Sequence, residues 1–256
     1  MIELSHVSKS YGKTLAVADL SLHVERGEIF GLLGPNGAGK SSTVKCLTGL
    51  SKPTTGSIRM NGIDLLEQPM AVKEMLGYVP ENALLYDSLT ANEYIDLVAE
   101  LRHMDRERAH QQRDELFTLF GLTTEDRTKL LNEFSKGMRQ KVLIASALIH
   151  NPDILILDEP LSGLDVNAAL IFKELLRRFA SRGKTIFFCS HVLDVVEKLC
   201  DRIGILNNGE LIAIGTPQEL MHRANRSSLE LAFNTLTNGA DIERATEDII
   251  RALSTL

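Results

Sequence analysis

"GLLGPNGAGKSST", residues 31–43, places four glycines in thirteen positions and then sets a lysine beside two serines. Gly34 to Ser41 fit the spacing G-x-x-x-x-G-K-[ST]. The stretch lies between the apolar run EIFGLL (Glu28–Leu33) and a helical run that ends near Gly49. A strand before and a helix after are the contexts in which this spacing binds phosphate. Gly34, Pro35, Asn36, Gly37, Ala38 and Gly39 form a loop in which consecutive backbone N–H groups turn toward one anion, and the following helix adds the positive end of its dipole. Lys40 is placed to reach the β- and γ-phosphates, Ser41 to ligate Mg²⁺, and Ser42 to touch the α-phosphate. A glycine-rich turn that only caps a helix needs neither the lysine nor the serine. The expected ligand is a nucleoside triphosphate with its metal.

Two more short apolar runs accompany EIFGLL: ILIL (Ile154–Leu157) and TIFF (Thr185–Phe188). Continuous runs of this kind are the pattern of parallel strands covered by helices on both faces. Alternation in IEL near the start and in LSLHV (Leu20–Val24), with a hairpin signal at Asn61-Gly62, predicts antiparallel sheet in the first third. Between residues 83 and 150 the spacing turns helical and charged, with Thr90 and Glu93 forming a capping box ahead of Tyr94, Ile95, Val98 and Leu101. A second hairpin signal stands at Asn208-Gly209. Thr216, Pro217 and Glu219 then start a late helix, and DIERATEDIIRALSTL at the end reads as one amphipathic helix.

Chemistry gathers where the apolar runs end. ILILDEP delivers Asp158 and Glu159 to the carboxyl edge of a buried strand, the edge at which open α/β sheets bind ligands. Adjacent carboxylates there repel each other and call for a cation. Asp158 suits the outer sphere of Mg²⁺, and Glu159 can take a proton from an attacking water. TIFFCSH brings Ser190 and His191 to the same edge, where His191 can bond a γ-phosphate or that water; a structural histidine is the bland alternative. His103 and His110 lie on a charged stretch and read as solvated.

The chain has 256 residues, 44% hydrophobic and 24% charged, with a net charge of −6. That acidity disfavours DNA or RNA as the main partner. Cys46, Cys189 and Cys200 show no CxxC spacing and sit in apolar stretches, which fits a reducing cytoplasm. The longest apolar run, VLIASALI (Val142–Ile149), is far shorter than the ~18 residues a span requires. Work at a membrane would need another subunit to supply the spans.

With these residues in order, roughly residues 1–223 resemble the ATP-binding subunit of an ATP-binding cassette (ABC) transporter. FSKGMRQK (Phe134–Lys141) is similar to that family's LSGGQ signature, with Ser135 and Gly137 in the matching serine and second-glycine places. Ser135 also reads independently as the N-cap of a helix running to Ile149, a second anion-binding end. The resemblance implies an α/β fold: a P-loop NTPase (RecA-like) parallel-sheet core, an N-terminal antiparallel β subdomain, an inserted α-helical subdomain at 83–150, and a short tail at 224–256. It implies ATP and Mg²⁺ as cofactors and ATP hydrolysis as the activity. It also implies a second cassette whose signature faces the bound nucleotide, a separate membrane permease, and a location on the inner face of the membrane.

The resemblance gives Tyr11 the role of stacking on adenine and Val17 that of touching the ring, while strand packing would explain either equally well. Asp165 matches the loop aspartate that crosses between cassettes, and it could equally cap the next helix. Two departures stand out. Glu81 replaces the usual metal-touching glutamine. Lys136 and Met138 replace the first signature glycine and the glutamine. Both resemble the type-2 export subfamily, and the short tail favours export. A soluble ABC ATPase acting on ribosomes is the alternative; it would carry tandem cassettes or a coiled-coil insertion. A scaffold that binds ATP without cleaving it would not need Glu159 and His191.

Overall fold

The computed structural model describes residues 1–82, 85–237 and 250–251. Strands β1 (Ile2–Tyr11) and β2 (Thr14–Val24) form a hairpin, and β3 (Ile29–Leu33) leads into the glycine loop and helix α1 (Lys40–Leu47). Strands β4 (Thr55–Met60) and β5 (Ile63–Asp64) follow, joined by Asn61 and Gly62 at φ 48° and 81°, the left-handed pair their hairpin demands. The first sheet has the order β2-β1-β4-β5 and is antiparallel, as the alternation predicts.

Helix α2 (Pro69–Met75) runs into β6 (Leu76–Val79). The helical insertion holds α3 (Ala91–Leu101), α4 (Arg106–Leu119), α5 (Thr124–Arg127) and α6 (Lys136–Leu148). The expected capping box is present: the Glu93 N–H donates to Thr90 Oγ1 at 3.2 Å, and the Thr90 N–H to the Glu93 carboxylate at 2.8 Å. Ile95 is buried, whereas Leu101 is exposed. The core resumes with β7 (Ile154–Asp158), α7 (Val166–Ser181), β8 (Thr185–Cys189), α8 (Leu193–Leu199), β9 (Arg202–Asn207) and β10 (Glu210–Gly215). Helices α9 (Pro217–Ala224) and α10 (Leu229–Leu236) follow, α9 starting at the predicted Thr216 cap. The helix expected for DIERATEDIIRALSTL lies outside the described residues except at 250–251, which are helical.

The second sheet runs β10-β9-β3-β8-β7-β6, with every pair parallel except β9 and β10. Its central strands divide their side chains between two cores, which is why their sequences are apolar without alternation. Ile29, Leu33, Leu155, Leu157, Ile186 and Phe188 join one core with α6, α7 and α8. Phe30, Leu32, Ile154, Ile156, Phe187 and Cys189 join the other, beneath α1 and the antiparallel sheet. The three cysteines are free and buried. Both cores hold β3, β7 and β8 rigid, and their carboxyl ends therefore sit at fixed positions.

Candidate active site

The chain leaves β3 and turns at once through the glycine loop. A Cβ at Gly34 would lie 2.4 Å from the Leu206 carbonyl oxygen, and one at Gly39, whose φ is 106°, would lie 2.3 Å from that of Ala16. Only glycine fits either place. Gly39 is also the N-cap of α1 and brings no capping side chain, which leaves the first-turn N–H groups for an external acceptor. The β9–β10 turn braces the loop from behind: the Gly209 N–H donates to the Ala38 carbonyl at 3.0 Å and the Ala18 N–H to that of Gly209 at 2.8 Å. The Lys40 ammonium folds back across the loop, donating to the carbonyls of Gly34 at 2.6 Å and Pro35 at 3.1 Å.

Two neighbouring strands present three acids to this cradle. Glu81 follows β6, Asp158 ends β7, and Glu159 comes next, with Asp158 in register with Cys189 of β8. Burial first, and then the charges of Glu81 and Glu159, push the Asp158 carboxyl up to about 6, while Lys40 and Lys45 pull the other way. A carboxyl so placed is short of positive charge. Glu159 adopts the left-handed region at φ 49°, and its N–H donates to the Cys189 carbonyl at 2.9 Å. Its carboxylate accepts from the His191 N–H at 2.7 Å and from the Ser190 hydroxyl at 3.1 Å. His191 Nδ1 stands 2.7 Å from the same carboxylate.

Ala16, Asn36, Gly37, Ala38, Gly39, Lys40, Ser41, Ser42, Glu81, Asp158, Glu159 and His191 thus line one cavity of about 220 Å³. Gly34 and Pro35 line an adjoining hollow with Ser190, His191 and Phe233. A larger cavity of about 750 Å³ lies between α2 and the α3–α4 turn and holds none of these groups. The chemistry selects the smaller one.

Other expected residues lie apart from this cavity. Tyr11 is 45% exposed at the end of β1, with the Lys9 ammonium 4.9 Å from its ring centroid. Val17 is fully buried in the core beneath the first sheet, which agrees with strand packing, one of its two readings, and its neighbour Ala16 lines the cavity. Ser135 caps α6 as predicted, accepting from the Met138 N–H at 3.3 Å, and is exposed beyond the cavity. Gly137 packs on the Gly163 carbonyl, and Lys136 reaches Ser162. Asp165 caps α7 through the Ala168 N–H at 2.8 Å and pairs with Lys141 at 2.8 Å, which holds its carboxyl below the usual range. The Lys141 contact leaves no trace in local sequence.

A glycine-built anion cradle after a parallel strand, facing an Asp-Glu pair on another strand of the same sheet, defines a P-loop nucleoside triphosphatase. The family model described as ABC transporter matches residues 17–162, and the chain belongs to that family, as its ATP-binding ATPase cassette. An uncharacterized ABC transporter ATP-binding protein of Nostoc sp. is 43% identical over 217 residues, a match covering 83% of this chain and 63% of that protein. This chain therefore spans less than two thirds of that relative's length. The Nod factor export ATP-binding protein I of Burkholderia lata is 36% identical over 220 residues, covering 86% of this chain and 72% of its own. The solved ATP-binding subunit of an ABC transporter superposes with a TM-score of 0.87 at 33% identity, covering 93% of this chain and 99% of that one. A dimeric ATP-binding cassette in a post-hydrolysis state, bound to ADP and Pi, superposes with a TM-score of 0.79 at 27% identity, covering 84% and 98%.

Proposed function

We propose that this chain hydrolyses Mg-ATP as the motor subunit of an export-type ABC transporter, with residues 1–223 as the cassette and 224–256 as an accessory tail. The observation that carries the reading is the convergence of Lys40, Ser41, Glu81, Asp158, Glu159 and His191 on one cavity. The donor set fits Mg²⁺: the Ser41 hydroxyl with Asp158 and Glu81 would hold it, and the raised Asp158 carboxyl is the group such an ion would relieve. When bound, Mg²⁺ neutralises charge on the β- and γ-phosphates.

The chain's own residues supply the rest. The loop N–H groups and Lys40 bind the phosphates. Glu159 accepts the proton of the attacking water, and His191 and Ser190 orient its carboxylate. Tyr11 stacks on the base. Ser135 and Gly137 act on a nucleotide held by a second cassette, and Asp165 lies at that interface.

No helix among the described residues is long and apolar enough to cross a membrane. The membrane part is assigned to a separate permease on whose inner face the cassette docks. The larger groove, rimmed by exposed Leu50, Met70 and Leu101, is the docking surface this reading assigns to it. The Burkholderia lata relative's name supports the export direction. Purification from detergent-solubilised membranes tests the proposal: a multi-span protein should accompany the chain and stimulate its ATP turnover. Recovery with ribosomes, and no multi-span partner, would contradict it.

A further inference from the structure

Residues 159–165 join β7 to α7 and carry the proposed general base. This segment is a tight turn: the Ser162 N–H donates to the Glu159 carbonyl at 3.1 Å and the Leu164 N–H to that of Leu161 at 3.2 Å, with Glu159 itself left-handed. Helix α6 grips the turn at successive points. At Gly137 the backbones approach so closely that a Cβ would come within 2.4 Å of the Gly163 carbonyl oxygen. The buried Gln140 amide donates to the Pro160 carbonyl at 2.8 Å, and the Lys141 ammonium meets Asp165 at 2.8 Å. The Lys136 ammonium donates to the Ser162 hydroxyl at 2.9 Å. This last link needs a long cationic side chain at a position where the signature resemblance leads one to expect glycine.

We infer that Lys136 is a positioning residue for Glu159. By holding the Ser162 hydroxyl it fixes the turn whose amide binds the Glu159 carbonyl, and it makes the start of α6 and the general base move as one unit. A glycine at 136 cannot reach, and the turn would then be free to sample other conformations. The bond is exposed, so its effect lies in narrowing the turn's conformations and contributes little to global stability. Under the proposed function, which this inference deepens, α6 begins at the surface offered to a second cassette. A shift of that surface would re-aim Glu159 within the same chain.

Amide hydrogen exchange of the nucleotide-free full chain tests the link directly. Lys136→Ala and Ser162→Ala should each speed exchange at the Ser162 and Leu164 amides by roughly three- to tenfold, Lys136→Arg should restore protection, and the double variant should exchange no faster than either single one. Unchanged protection in Lys136→Ala, or effects that multiply in the double variant, would overturn the inference. In steady-state turnover Lys136→Ala should lower kcat by roughly three- to tenfold with KM for ATP unchanged. A change confined to KM would mean that the lysine touches nucleotide instead, and would also overturn it. Wild-type protein that turns over no ATP would refute the proposed function, while the exchange measurement would still decide the role of Lys136.

Discussion

Replacing Asp158 by asparagine in chelator-treated, nucleotide-free protein removes a carboxylate that the fold holds at a cost. Burial, with Glu81 and Glu159 behind it, raises its titration from 3.8 to about 6. The native state therefore keeps this proton to about pH 6, whereas the unfolded chain releases it near 3.8. Folded protein binds more protons across that window, so stability falls as pH rises through it, and the full cost is present above about pH 6. Two pH units correspond to about 3 kcal/mol, which partial contact with solvent reduces to about 2 kcal/mol. For a chain of this size that is a Tm difference of about 4–8 °C. Thermal unfolding with EDTA at pH 5 to 8 should place Asp158→Asn above wild type by that margin at pH 7.5, the gap shrinking by roughly half at pH 5. Mg-ATP should then reverse the order by stabilising wild type more than the variant. A gap independent of pH, or a variant less stable than wild type at pH 7.5 without metal, would refute the reasoning.

Lys40→Ala should lower ATP affinity by roughly 100-fold, because it removes charge-assisted bonds to two phosphates, with unfolding of the free protein little changed; titration calorimetry reads this, and an unchanged Kd contradicts it. Phe187 is fully buried and stacked on Phe30 with centroids 5.7 Å apart, so Phe187→Ala should cost about 3–5 kcal/mol in urea unfolding. Thr90→Ala removes one half of a capping box and should cost about 1 kcal/mol, measured in the same way.

The parallel core was legible because buried strands leave continuous apolar runs, and β3, β7 and β8 lie where those runs end in Gly34, Asp158 and Ser190. β6 was not, because LGYV is four residues long with a glycine inside, too short for any period to register. The side on which Val17 falls was hidden for a different reason. Leu20, Leu22 and Val24 alternate on one face, but Asp19 at φ 51° introduces a bulge, and the register on β1 slips between Val7 and Lys9. Residues before the bulge therefore reverse parity, which places Val17 inside and Ala16 at the cavity. The cradle could be read from local spacing alone. The contacts of Lys136, Gln140 and Lys141 with the loop after Glu159 could not, because they join segments some twenty or more residues apart by tertiary packing.

The central claim is that a triphosphate gripped by the loop at Gly34 is closed over by the Ser135 end of a second cassette and cleaved with the help of Glu159. Glu159→Gln protein, mixed with Mg-ATP and sized by light scattering, measures this most directly. Closed dimers that retain two uncleaved ATP molecules, and that fall apart when Ser135 is also replaced by arginine, are the predicted result. Glu159→Gln protein that stays monomeric beside its membrane partner, or that turns over ATP at the wild-type rate, would contradict the account.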